Sequence, residues 1–121
     1  MPQQELFLTR ETGDGRIEVV KTYDKSYARE AFGNMDETAQ RRLWKSLGIE
    51  ESYDPNDIPP LNEPDSHDFL WEELLDAARE DGNTMSFFVV TQSKNNIARS
   101  IYVSPDWPSA EAVANSLLAH V

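Results

Sequence analysis

Between residues 50 and 81 the chain carries twelve carboxylates and one base, Arg79. Carboxylates can shuttle protons, hold hard cations, or act together as a field that draws in positive surfaces. The placement of the charge favours the third use. The formal charge of the whole chain is −11, and residues 50–81 alone account for all of it. Elsewhere ten acids balance ten bases. A protein acidic only for solubility would spread its charge over the surface, whereas a field gathered in one block is directed. It should repel nucleic acid and anionic membrane and attract basic partners.

The other two uses find little support in the spacing. His67 lies beside Asp65 and Asp68, with Glu63 near, but it belongs to no HxxxH or HExxH pattern, and a metal needs three or four converging ligands. It is expected simply to start a helix. The stretch "DPNDIPPLNEPD" has the acid density of a calcium loop. It lacks the central glycine, however, and places Ile58 where an oxygen ligand belongs, so it is not an EF-hand. The histidines are His67 and His120, there is no cysteine, and no GxSxG occurs, so no nucleophile–base pair can be read. "TGDGR" is too short for a phosphate loop and no helix N-terminus follows it. A small enzyme using a carboxylate pair ranks third among the readings, because acids this abundant carry no spacing signal. No catalytic residue, metal ligand or cofactor is expected.

These residues need elements to position them. Two β-rich runs around "TGDG" predict a hairpin with strands near 4–11 and 16–22, Gly13 and Gly15 being available for positive φ. Asp24 should cap a helix over 25–32, where Tyr27, Ala28, Ala31 and Phe32 have helical spacing and Gly33 stops it. "NMDE" suggests a capping box with Asn34 as cap and Glu37 at the third position. Ala39, Leu43, Trp44 and Leu47 then form an apolar stripe ending at Gly48, and Arg41, Arg42 and Lys45 give this second helix a basic side. Residues 49–64 hold four prolines and are expected to be an acidic connecting loop, neither regular helix nor central strand. An acidic helix over 65–81 follows, capped by Asp65 or Ser66 and stopped at Gly82. "TMSFFVVTQ" and "IARSIYVS" around "SKNN" make a second hairpin. After a "PDWPS" turn, Ser109 should cap a last helix with Ala110, Val113, Ala114, Leu117, Leu118 and Val121 on one face.

The order ββ-αα-loop-α-ββ-α implies an α+β domain spanning residues 1–121, a four-stranded antiparallel sheet from two hairpins with helices mainly on one face. The apolar fraction of 39% suits one modest core. There is no apolar run long enough to span a bilayer and no basic-then-apolar leader. With the absence of cysteine, this leads to a cytoplasmic expectation.

Within the acidic helix, Leu70, Trp71, Leu74, Leu75, Ala77 and Ala78 share one arc, while Asp68, Glu72, Glu73, Asp76 and Glu80 fill the opposite one. Asp68, Glu72, Asp76 and Glu80 form an unbroken i, i+4 ladder. Each like-charged pair costs an isolated helix about 0.2–0.5 kcal/mol. Burying the four large apolar side chains, at about 1.5–3 kcal/mol each, offsets this cost. Local stability therefore permits the ladder without explaining it. Phe69 falls inside the acid arc, where it is either covered by the "PPLNEP" segment or serves as an aromatic anchor ringed by carboxylates.

The expected role is non-enzymatic: binding the basic surface of a macromolecule, a nucleic-acid-binding protein or nuclease, through Asp68, Phe69, Glu72, Glu73, Asp76 and Glu80 on the helix and Asp54, Asp57 and Glu63 on the loop. Its most concrete form is an inhibitor that imitates nucleic acid, of the anti-restriction or anti-CRISPR kind, or an immunity protein for a basic nuclease. Neither direct nucleic-acid binding nor membrane attachment is expected. The alternative is a scaffold or homodimerising domain whose acid face is only solvated.

Overall fold

The computed structural model describes residues 4–59, 64–79 and 85–118, with Pro64 and Asp65 described in backbone only. Its frame is a four-stranded antiparallel meander, β1 (Gln4–Glu11), β2 (Gly15–Thr22), β3 (Phe87–Lys94) and β4 (Ile97–Ser104), paired in that order. The α+β architecture expected from the two hairpins is therefore present. The long insertion between β2 and β3 carries α1 (Lys25–Gly33), α2 (Glu37–Ser46), a single turn α3 (Ile49–Ser52), a 3₁₀ turn (Pro55–Asp57) and α4 (Pro64–Ala78). Helix α5 (Trp107–Leu118) closes the described chain.

Strand β3 shows how the core is built. Its first four residues, Phe87 to Val90, are all buried. Successive side chains of a strand point to opposite faces, so this run must be covered on both. Phe87 stacks on Trp71 of α4 with ring centroids 6.2 Å apart, and Trp71 meets Phe32 of α1 at 5.2 Å. The neighbouring Phe88 meets Trp107 of α5 at 5.9 Å. Helices α1 and α4 thus lie on one face and α5 reaches the other. Helix α2 touches both groups: Trp44 packs on Phe69 of α4, and Ser46 hydrogen-bonds Ser109 of α5.

Turn chemistry sets the register. Asn95 and Asn96 join β3 to β4 with φ of 53° and 69°, the double positive φ of a type I′ turn. Gly15 works differently from the expectation. Neither it nor Gly13 has positive φ; the described glycine that does is Gly48. Gly15 is opposite Lys94, and a Cβ there would stand 1.6 Å from the Ser93 carbonyl oxygen. Close backbone approach, not a left-handed turn, requires glycine at this position.

Three caps differ from the sequence reading. Asp24 caps α1 as expected, accepting from the backbone N–H groups of Ser26 and Tyr27. The cap of α2 is Asp36, which accepts the Ala39 N–H at 2.8 Å; Asn34 instead ends α1, donating its backbone N–H to the Ala31 carbonyl. Glu37 is consequently the first helical residue, not the third. Helix α4 already runs at Pro64, which needs no N–H donor there, so Asp65 and Ser66 sit within its first turn. At α5 the Asp106 carboxylate accepts the Ser109 N–H at 3.1 Å, leaving the Ser109 hydroxyl to bond Ser46. At α2 and α5 an aspartate stands directly before the first helical residue, where its carboxylate reaches a first-turn N–H.

The expected connecting loop contains more helix than its prolines suggested. Gly48, at φ 66°, ends α2, and α3 restarts immediately, before the first proline is reached. Pro55 then opens the 3₁₀ turn, with Asp54 accepting the Asn56 N–H at 3.0 Å.

Candidate acidic face

Helix α4 divides as its pattern predicts. Leu70, Trp71, Leu74, Leu75 and Ala78 are buried. Asp68, Glu72 and Asp76 are exposed, and so is Ala77, which the arc had placed on the core side. Glu73 is half-buried. Glu63 and Glu80 lie outside the described residues, as do Asp81, Gly82 and His120.

The exposed carboxylates of α4 are not neutralised by the protein's own bases, among the described residues. Among the described residues the ion pairs are Arg16 with Glu18 and Arg41 with Glu37. Arg41 therefore spends its charge within α2, at 2.7 Å, instead of reaching α4. No described base pairs with Asp68, Glu72 or Asp76. The described part of the ladder keeps its charge unpaired.

A second acidic element lies beside it. Tyr53, just after α3, donates its hydroxyl hydrogen to Glu73 Oε1 and sets its ring edge-on to Phe69 at 5.5 Å. That contact ties the segment bearing Glu50, Glu51, Asp54 and Asp57, all exposed, to the carboxylate side of α4. The chemistry of Tyr53 reflects these neighbours: its pKa is raised, first by the hydrogen bond to Glu73, then by the Glu73 charge, by desolvation and last by the Asp76 charge. Two stretches some twenty residues apart thus contribute acids to neighbouring surface.

Phe69 is packed rather than free. It is half-buried between Trp44 and Tyr53, rings 5.7 and 5.5 Å away. The cover came from α2 and the end of α3; "PPLNEP" falls largely outside the described residues. The exposed aromatic at this place is Tyr53, 39% accessible. Sequence reading missed it because nothing local marks Tyr53; its relevance comes from a contact with Glu73.

His67 lies in the first turn of α4. It is half-buried, 4.5 Å from the Phe32 ring, and its pKa is lowered chiefly by desolvation, then by the Arg29 charge, with Asp68 pulling the other way. Arg29 itself lies over both Phe32 and Trp71, about 5.3 Å from the latter's ring. A neutral imidazole on an aromatic wall suits packing. Among the described residues no three His, Asp or Glu side chains converge in a way that would hold a metal.

No family model, characterised protein or solved structure matches this chain. Function has to be argued from the surface itself. No helix among the described residues is long and apolar enough to cross a membrane.

Proposed function

We propose that this protein is a non-enzymatic acidic binding protein that engages a basic macromolecular surface through the face built from α4 and the segment after α3. The observation that carries the reading is the exposed trio Asp68, Glu72 and Asp76, left without an ion pair among the described residues while Arg41 is bound to Glu37. An i, i+4 row of unneutralised carboxylates repels itself, and a basic partner relieves that repulsion. Carboxylates four residues apart advance about 6 Å along a helix, near the rise of two phosphates along a DNA strand, about 6.8 Å. The row therefore suits a groove made for nucleic acid. The partner class is a nucleic-acid-binding protein or nuclease, and the role that of a decoy: an inhibitor of the anti-restriction or anti-CRISPR kind, or an immunity protein.

The test is capture of partners from lysate on the immobilised protein at low and high salt. Capture that weakens steeply with salt and disappears in the Glu72→Lys, Asp76→Lys double variant supports the reading. Capture indifferent to both sinks it.

A second reading has its own observation. Edge strand β1 leaves Leu6 55% accessible, while Phe7, 43% accessible, packs against Phe88 and Trp107, and the unpaired backbone edge of β1 invites pairing with another strand. Binding through the sheet, to a partner or to a second copy, would survive the lysine substitutions on α4.

A further inference from the structure

A groove of about 1030 Å³ opens between α2 and the chain that follows it. Its cations are Arg41, Arg42 and Lys45, all within one turn of α2 and all exposed. Apolar surface from Trp44, Ile58 and Pro59 lines it between them, and Glu50 contributes a single acid to the lining. Arg41 is held by Glu37, but neither Arg42 nor Lys45 has an ion-pair partner among the described residues. In a chain of net charge −11, three cations gathered on one apolar groove form a local field of opposite sign to that of α4.

We propose that this groove binds a short, extended acidic peptide segment of a partner protein. Two of its carboxylates would pair with Arg42 and Lys45, which stand three apart on one helix face, and an apolar side chain would lie against Ile58 and Pro59. Charge complementarity selects the acid. Size is compatible with a peptide: the volume is at the upper limit of small-ligand sites, about 1000 Å³. Nucleic acid fits less well. Single strands bind by stacking bases on exposed aromatic rings, and Trp44 is only 5% accessible. A long polyanion would also meet the repulsion of the whole molecule. The groove shares the segment after α3 with the acidic face, but it uses charge of the other sign, carried by α2.

The probe is a fluorescein-labelled synthetic decapeptide of alternating glutamate and leucine with blocked ends, titrated against the full chain by anisotropy. Saturable binding is expected, weakened roughly tenfold or more by the Arg42→Gln, Lys45→Gln pair. The Glu72→Lys, Asp76→Lys variant should bind the peptide at least as well as the parent, which separates this site from the acidic face. Shifts of the Trp44 indole and Ile58 methyl signals on NMR titration should place the peptide in the groove. No saturable binding, or binding untouched by the glutamine pair, overturns the proposal. So does oligo-dT or inorganic polyphosphate binding as tightly as the peptide at the same residues, because the groove would then be a general anion patch.

Discussion

Tyr53 Oη donates to Glu73 Oε1 at 2.5 Å, joining the end of α3 to the middle of α4. This bond gathers the acids of two segments and places an exposed ring among them. It also means that the Tyr53 proton is held by the carboxylate field. The phenolate should appear only above its ordinary pH of 10.0. Glu73→Ala, which removes both the hydrogen bond and the charge, the two largest causes, should bring the transition back toward that value, and Asp76→Asn should move it less. Absorbance titration of the tyrosinate band, assigned with Tyr53→Phe, checks the order.

On the proposed binding face, Tyr53→Ala should weaken partner capture more than it lowers stability, because the ring is exposed. Phe69→Ala should do the reverse: it opens space beside Trp44 and should cost about 2 kcal/mol, less than the 3–5 kcal/mol typical of a fully buried phenylalanine. Urea midpoints measured beside capture assays separate the two effects. Equal losses of capture and stability in both variants would argue that Tyr53 only supports the fold.

Relief of the acid ladder should be visible without any partner. Glu72→Gln removes two like-charge pairs, with Asp68 and with Asp76, and should stabilise the protein by about 0.4–1 kcal/mol at low salt. Added salt should shrink that gain. A loss of stability instead would show that Glu72 has a favourable partner.

The two hairpin glycines should respond oppositely to alanine. Gly15→Ala drives a Cβ into the Ser93 carbonyl and should cost about 1–3 kcal/mol or more, the range for overpacking. At Gly13 nothing lies within 4 Å of the added atom and φ is not left-handed, so Gly13→Ala should be neutral or stabilise by about 0.4–1 kcal/mol. Thermal or urea unfolding of the pair decides it.

Tyr102 carries a buried hydroxyl with no hydrogen-bond partner of good geometry, although Ser46 comes near enough to influence it. Burial, then the Asp106 charge, pushes its pKa to about 12. A folded-state value above the unfolded one of 10.0 means the native state holds the proton longer. That contribution is fully present below about pH 10 and is lost as pH rises through 12. Tyr102→Phe removes the unpaired hydroxyl and should leave stability unchanged or raised by about 1 kcal/mol near neutrality. It should also flatten the alkaline decline, as urea midpoints between pH 8 and 12 would show.

Much of this architecture was legible from local pattern. The alternation of β2, the continuous apolar run of β3 and the stripe of α4 depend on how a backbone places successive side chains, which is the same wherever the segment lies in the fold. Strand and helix positions followed from those periods to within a few residues. The confinement of the charge to residues 50–81 needed no coordinates either. The caps were harder, since Asn34, Asp36, Ser109 and Asp106 are all competent cap types. That Asp36 and Asp106 are the ones standing directly before the first helical residue is fixed only once the helix starts are known.

What no local pattern contains is which distant groups meet. That Tyr53 bonds Glu73 and that Phe69 lies between Trp44 and Tyr53 both depend on how α2, α3 and α4 come together. Sequence supplies the amount of charge and the faces that carry it. Whether a carboxylate is neutralised or left to act on a partner is a matter of a few ångströms between elements, because charge pairing in water fades over such distances, and those ångströms are set when the core packs.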